Sequence, residues 1–585
     1  MKIHHTLKTL TLAGLTLGAL AACAPQASAP TDAKNQKTTA PDPTPLPRGE
    51  KVSGIIAEAS PAIVVSQEAL GARIAQLADD KFEGRAPTTP GGIAASQWVA
   101  DEMARIGLKG AVDGGYFERV PLVEATLDEG ASRFGFTANG KTLDIPFGSD
   151  EIFWTKRIDE NLSFDDTDVV FVGYGVVAPE YGWNDYAGID VKGKTVVMLV
   201  NDPGFATHDP DLFNGKAMTY YGRWTYKFEE AGRQGAAAAI IVHETAPASY
   251  PWEVVSGSWA GAQYDLERPD GGANRTKLEG WISHDAAQKL FAAAGEDYEV
   301  MKESAAKKGF KPSVMKGIKA SGVVKTGIKH LVSRNVAGVL PGAKTPDEYV
   351  LYMAHWDHLG KKDVPEGEDG IYNGAVDNAT GVAAILGIAD AFVHQETPPD
   401  RSILFLAVTA EESGLLGSAY FAEDPFVPLK NIVGGINIDA LMPMGRTKDM
   451  EVVGFGASEM EDILKEKAAR HGKHLVPDQT PEAGHFYRSD HISLAKKGVP
   501  MIYGSGGEDL IKGGKAAGKA FTEGYTANRY HKPADEYSKD WDLSGIAEDA
   551  SILYEVGETM SHDGVWPNWY KDNEFRALRD KMREE

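Results

Sequence analysis

Residues 349–360 read YVLYMAHWDHLG, an apolar and aromatic run that stops at a histidine. A run without polar alternation is what a strand buried on both faces requires, because a strand with one wet face alternates. Three more such runs follow: SILFLAV at 402–408, IVGGINI at 432–438 and VPMIYG at 499–504. Segments with helical patterning lie among or after them: NATGVAAILGIADAF (378–392), ESGLLGSAYFAE (412–423) and LSGIAEDASILYEVGETMS (543–561). Alternating strands and helices predict an α/β fold, a mostly parallel mixed sheet covered by helices on both faces, with its main part over 301–562. Sheets of this kind take their ligands at the carboxyl ends of the strands.

Those ends carry the chemistry. The first run stops at His355, the second at Thr409-Ala410-Glu411-Glu412 and the third at Asp439. Asp377 lies in GAVDNATG ahead of a helix, and His531 in RYHKPADEY after the last strand. Taken singly, each has an ordinary explanation, such as a helix N-cap for Asp377. Taken together they do not, because unpaired charge at the end of a buried strand is costly unless a cation binds there. Two imidazoles and three carboxylates without a thiolate suit zinc, with manganese or cobalt as substitutes. Five ligands exceed one tetrahedral zinc with an open position and fit two ions sharing one carboxylate. Neighbours on a turning chain point apart, so Glu412 can ligate while Glu411 serves as general base. Asp357 can accept the other ring N–H of His355 and fix its tautomer.

Working outward, SQEALGARIAQLADD (66–80) and PGGIAASQWVADEMARIGL (90–108) have helical periodicity, with Pro90 and Gly91 opening the second. Residues 51–150 are therefore expected to form the N-terminal part of the same domain. From 151 to 300 the texture changes to short β-rich runs: DVVFVGYGVV, GKTVVMLVND and AAAAIIVHET, with the amphipathic KFEEAGRQGA between the last two. That predicts a compact α+β module without clustered ligands of its own. The polar stretch 563–585 is expected to be a surface appendage.

The N-terminus reads as an export signal, with Lys2 and Lys8 ahead of an apolar run from Leu10 to Ala22. At about 13 residues the run suits a signal and is too short to span a bilayer. It ends at Cys23, the only cysteine among 585 residues. Leu20-Ala21-Ala22-Cys23 is similar to a bacterial lipobox, which makes Cys23 the expected lipidation site. Residues 1–23 are then a lipoprotein signal peptide and 24–50 a flexible Pro/Ala/Thr tether. The expected location is the periplasmic face of a bacterial membrane, the outer one favoured by Ala24, with the lipid as the only membrane contact. No other segment approaches 18 apolar residues. With 84 acidic against 60 basic residues, the net charge of -24 argues against nucleic acid or an anionic membrane as partner. The lone cysteine excludes an intramolecular disulfide and a thiolate metal cage.

His355-x-Asp357, Asp377 in VDNATG, Glu411-Glu412-Ser413-Gly414-Leu415-Leu416-Gly417-Ser418, Asp439 and Tyr530-His531-x-Pro533-x-Asp535 resemble the motif set of the dizinc exopeptidase family. That family contains aminopeptidase Y, the bacterial secreted leucyl aminopeptidases and glutamate carboxypeptidase II. The resemblance implies a zinc exopeptidase (phosphorylase/hydrolase-like) fold, and the segment 151–300 is similar to the protease-associated (PA) domain inserted in several members. It further implies that Asp377 bridges two zinc ions, with His355 and Asp439 completing one site and Glu412 and His531 the other. Glu411 becomes the proton shuttle and Asp357 the partner of His355. Tyr530 matches a tyrosine that steadies the tetrahedral oxyanion in some relatives. Arg488-Ser489-Asp490-His491 resembles a family segment near the substrate pocket, either as loop support or in direct contact. Phe82-Glu83-Gly84-Arg85 resembles another, in which Arg85 either pairs with a neighbouring acid or shapes the pocket rim.

The function expected from these implications is peptide hydrolysis from the amino terminus by a zinc-dependent aminopeptidase, with a metal-bridging hydroxide and Glu411 as base. The alternative is a carboxypeptidase or dipeptidase that holds a terminal carboxylate with arginine or lysine. A non-catalytic receptor-like binding protein ranks lower, because all five ligands and the base are present. Glutaminyl cyclase also ranks lower, because a PA-like insertion is not its habit.

Overall fold

The computed structural model describes residues 61–258, 261–562, 564–571 and 573–584. Cys23 and the stretch 24–50, on which the lipid-anchor expectation falls, lie outside them.

The four apolar runs form the centre of one sheet. Strands β3 (Thr345–His355), β4 (Arg401–Val408), β5 (Ile432–Asn437) and β7 (Met501–Gly506) are parallel, in the spatial order β4-β3-β5-β7. Antiparallel strands extend both flanks. Strand β2 (Ser313–Leu340) pairs β4 and then β1 (Phe117–Leu127), while β6 (Asp449–Val453) pairs β7. Successive side chains on a strand point to opposite faces. Val350, Tyr352 and Ala354 therefore join one core with Phe405 and Ile436, while Leu351 and Met353 join another with Leu404 and Leu406. The first core is roofed by helices α1 (Gln67–Leu77), α2 (Pro90–Ile106), α4 (Thr380–His394) and α6 (Ser544–Met560). Helix α1 shows how: Ser66 caps it, and Leu70, Ile74 and Leu77 form one apolar stripe. Helix α2 is capped by Thr89 and ends at Gly107, whose φ of 107° no L-residue adopts comfortably.

The stretch Ala375–His394 is long and apolar enough to cross a membrane by composition. It is packed inside this fold between the sheet and α1, α2 and α6, so the core accounts for its composition.

Residues 128–325 contain a second sheet with its own core, although Ala262–Leu266 pairs β1 of the first sheet. Asn161–Phe171, Thr195–Leu199, Ala238–Val242 and Leu278–Ile282 run parallel in it, and Glu151–Trp154 closes one edge antiparallel. The amino half of β2 pairs Arg133–Ala138 and Asn161–Phe171 here, while its carboxyl half belongs to the first sheet, against β4 and β1. The inserted module is thus wider than 151–300 on both sides. Its boundary runs through the middle of one strand, where composition carries no mark.

The stretch 563–585 is more than a surface appendage. Trp569 is buried and donates its indole N–H to the Gly498 carbonyl at 3.0 Å. Arg579 is buried too and donates to the carbonyls of Ile432 and Val433 at 2.9 and 3.1 Å. The high charge of the segment hides these two anchors from a composition-based reading.

Candidate metal centre and active site

Every strand-end residue singled out in the sequence converges on one place. His355 is the last residue of β3, and its Nε2 lies 3.2 Å from Asp377 Oδ1 and 3.2 Å from Asp439 Oδ1. The second oxygen of Asp377 lies 3.3 Å from His531 Nε2, which is 3.1 Å from Glu412 Oε2. One carboxylate therefore faces two separate histidine–carboxylate sets. For ligand bonds of about 2.0–2.1 Å, two ligands of a tetrahedral zinc stand roughly 3.3 Å apart, so all four separations fit that ion. A missed residue joins the second set: His358 Nδ1 lies 2.5 Å from Glu412 Oε1 without the alignment of a hydrogen bond. The signal was present, since His358 follows His355 by three in AHWDHLG. Polar atoms that converge without bonding each other point to a shared ion between them.

Local structure holds these groups in place. The Asp535 carboxylate accepts the backbone N–H groups of Val376 and Asp377 and the Tyr525 hydroxyl, at 3.1–3.2 Å. Asn378 ties the Asp377 turn to the Asp439 turn, donating to Ile438 O and accepting from Ala440 N. A Cβ on Gly381 would stand 2.5 Å from Ile438 O, so glycine lets α4 begin against that loop. Ser489 donates to Asp439 Oδ2 at 2.7 Å, which gives the Arg488–His491 segment a supporting contact with the site. His491 itself is buried between Phe486 and Tyr503, and burial pulls it down to about 3. Non-glycine residues with positive φ gather here as well: Arg85, Ala410, Leu415, Ala440 and His531. Such strain persists only where the surroundings over-determine it.

Asp357 stands one step further back than expected. The Nδ1 of His355 is 3.2 Å from the main-chain oxygen of Asp357 and 3.9 Å from its carboxylate. The carboxylate instead accepts the Glu411 N–H at 3.1 Å and so fixes the backbone of the base. Tyr530 stacks on the His531 ring at 3.9 Å and stands in the cleft wall with Glu411, Glu412 and His531.

Arg85 takes neither expected role. It is buried and donates to the carbonyls of Leu77, Trp356, Asn373 and Gly374, at 2.8–3.0 Å except for a shorter contact to Asn373. It thus clamps the turn after His355 to the turn before Asp377. Burial pulls it down to about 10, against the charges of Asp357, Asp377, Asp535 and Glu412, so it remains a cation. Arg85→Met strands four acceptors and is expected to cost at least about 3 kcal/mol of stability. It should also weaken zinc binding, read by competition with a chromophoric chelator. Arg85→Lys should recover only part of both. Unchanged denaturation and zinc affinity in Arg85→Met would remove the clamp from the account.

The electrostatics are those of a cation site. Burial lowers His355, but the charges of Asp439 and Glu411 and its bond to Asp377 outweigh it and hold the imidazole well above its usual range. His531 behaves alike: burial opposes, yet Glu412 and Asp377 raise it to about 10. Glu412 falls to about 2 despite burial and Asp377, because His358 and His531 favour its charged form. Glu411 moves the other way, pushed well above the carboxylate range by burial and then by Glu412 and Asp439, with His355 opposing. Protons on the two histidines meet the same need for positive charge that divalent ions would, and metal binding displaces such protons.

Comparison with known proteins agrees with this chemistry. Residues 335–554 match the model of peptidase family M28. A probable zinc metalloprotease of Pyrenophora teres f. teres (strain 0-1) is 28% identical over 208 residues, 35% of this chain and 39% of that protein. Aminopeptidase NAALADL1 of Mus musculus is 37% identical over 112 residues, 18% of this chain and 13% of that protein. A glutamate carboxypeptidase 2 homolog of Caenorhabditis briggsae is 34% identical over 136 residues, 22% of this chain and 16% of that protein. The chain thus spans well under half the length of each of these relatives.

Proposed function

We propose that this chain, whose residues 335–554 match peptidase family M28, is a two-zinc exopeptidase that trims peptides from the amino end. The observation that carries the reading is Asp377, whose two oxygens each face a different histidine at 3.2 and 3.3 Å. His355, Asp377 and Asp439 would hold one ion, and Asp377, Glu412 and His531 the other, with His358 beside the second. When bound, zinc supplies the positive charge that polarises a scissile carbonyl and acidifies water. Manganese or cobalt would serve the same ligands.

The residues themselves do the rest. Glu411 takes the proton of the attacking water and hands it to the departing amine; burial and neighbouring acids make it a better acid for the second step than a solvated glutamate. Tyr530 is 39% exposed in the cleft wall, and desolvation there, followed by the charges of Asp377 and Glu412, raises it above its usual range, so it stays a neutral donor for a developing oxyanion. The amino-end preference is part of this proposal, and the substrate panel below decides it. A carboxypeptidase or dipeptidase reading is favoured by one observation, the guanidiniums of Arg223 and Arg488 in the cleft wall. The PA-like module would act as a wall or lid of the cleft, and Cys23 as a lipid anchor at the periplasmic face of a bacterial membrane.

The test is a panel of free and N-acetylated aminoacyl-anilides and of free and amidated dipeptides, using the form that starts at residue 24. Hydrolysis only of substrates with a free amine, lost on chelation and restored by zinc, is the expected result. A requirement for the free carboxylate moves the reading to the carboxy end, and silence on all of them with two ions bound overturns it.

A further inference from the structure

The inserted module, expected from its sequence to hold no clustered ligands, gathers one set at its own strand ends. Its strands Ala238–Val242 and Leu278–Ile282 are parallel neighbours, and parallel sheets offer ligand sites at their carboxyl ends. His243-Glu244 follows the first strand and Ser283-His284 the second. His284 opens the helix His284–Ala294, and the helix Tyr298–Ala305 brings Glu299 and Lys302 to the same edge. His284 Nε2 lies 3.3 Å from Glu299 Oε1 and 3.9 Å from Glu244 Oε1. Ligand bonds of about 2.0–2.1 Å set two donors of one ion about 3.3 Å apart in a tetrahedron and at most roughly 4.2 Å apart, so both separations fit a single ion.

A second observation points to a ligand. The Tyr298 ring packs edge-on against His284 at 5.3 Å. Tyr298 is only 4% exposed, and its buried hydroxyl has no hydrogen-bond partner among the described residues. After burial itself, the charges of Glu244 and Glu299 push that hydroxyl up, so it stands beside both carboxylates as a neutral donor. A buried donor left unpaired is costly, and a water held on an ion or a carboxylate shifted by one would satisfy it.

Charge points the same way. Lys302 Nζ lies 2.5 Å from Glu244 Oε1 and 3.9 Å from Glu299 Oε2. The ammonium thus touches the oxygen that also faces His284, the place an ion would take. Lysine offers donors only and can do nothing for an imidazole lone pair. Its long side chain is 30% exposed and can turn to solvent.

We propose that Glu244, His284 and Glu299 form a divalent-metal site of the inserted module, for zinc or a similar imidazole-binding ion, and that the ion displaces Lys302. One nitrogen and two carboxylates suit zinc, cobalt or manganese, whereas calcium takes oxygen alone. None of these residues lines the cleft over the catalytic centre, so the site is separate from it. The bound ion ties the end of one strand to two helices. Having to displace an ammonium, it is held more weakly than the ions around Asp377 and leaves first to a chelator.

The test is equilibrium dialysis of the form that starts at residue 24 against buffered free zinc from about 10 nM to about 100 µM, with bound zinc counted per chain. Wild type should take up a late ion that His284→Ala and Glu244→Gln both lack. Lys302→Gln should take up the same ion at about tenfold lower free zinc, because the competing charge is gone. The catalytic centre is common to all four proteins, so the peptidase reading stands or falls separately. Equal zinc uptake by wild type and both ligand variants overturns the site and leaves an ion-pair network around Lys302. A Lys302→Gln protein that binds the late ion no more tightly than wild type also overturns it. That comparison holds even where a ligand variant fails to fold.

Discussion

Glu411→Gln should keep its full zinc content and lose about 10²–10⁴-fold in kcat, with KM little changed. The substitution keeps the shape of the side chain and removes only its capacity to accept a proton. Glu411 makes none of the close contacts among His355, Asp377, Asp439, Glu412 and His531, so its loss leaves the ligand set intact. Its backbone N–H, anchored on Asp357, is also untouched. The matching measurement is metal analysis on the desalted variant beside its steady-state kinetics. A fall in zinc would make Glu411 a ligand, and unchanged kcat would give the proton transfer to another group. A glutamate also differs from its neighbours in how it is held. Glu412 has two histidines to favour its charge, whereas Glu411 is pushed toward its neutral form by burial and by surrounding acids. Two adjacent carboxylates pushed in opposite directions are suited to opposite tasks, one to bind and one to move protons.

How much of this was legible in the sequence follows from what each residue answers to. His355 was legible because it ends an apolar run as the last residue of β3. Glu411, Glu412 and Asp439 lie two to four residues past the ends of β4 and β5 and were found by following those runs and the Glu-Glu-Ser-Gly motif. Asp377 and His531 sit on loops and were placed by their flanking motifs, VDNATG and RYHKPADEY. His358 was missed because it lies past the end of β3, where no periodicity says which way a side chain turns. The role of Arg85 was misread for a related reason. An arginine beside many acids suggests an ion pair, yet its partners are four main-chain carbonyls that no sequence displays. Arg488 was legible through the segment Arg488–His491, but Arg223 was not, because 265 positions separate the two and only the packing of module against sheet brings them to one cleft. The same holds for the module boundary within β2, one strand shared by two sheets.

Asp377→Asn should empty both metal sites together and abolish hydrolysis, a loss of at least about 10³-fold, because the polarised carbonyl and acidified water are lost with the ions. His355→Ala and His531→Ala should each release chiefly one ion. The difference follows from geometry and charge. His355 touches only the Asp439 set and His531 only the Glu412 set, while Asp377 faces both. Two divalent ions about 3.5–4 Å apart repel by roughly 17–19 kcal/mol even at an effective dielectric constant of 20. The charge that offsets this most directly is the one lying between them, and asparagine lacks it. Asparagine keeps the backbone contacts of Asp535 with Val376 and Asp377, so the turn itself should survive. Zinc per chain after dialysis against a weak chelator, measured for the three variants together, distinguishes a shared ligand from two independent sites. One ion retained in Asp377→Asn at wild-type affinity would mean that the two sites are separate and that the two-ion reading of this carboxylate is wrong. Retention of both ions would place the bridge elsewhere, with His358 and Glu412, 2.5 Å apart, as the next pair to substitute.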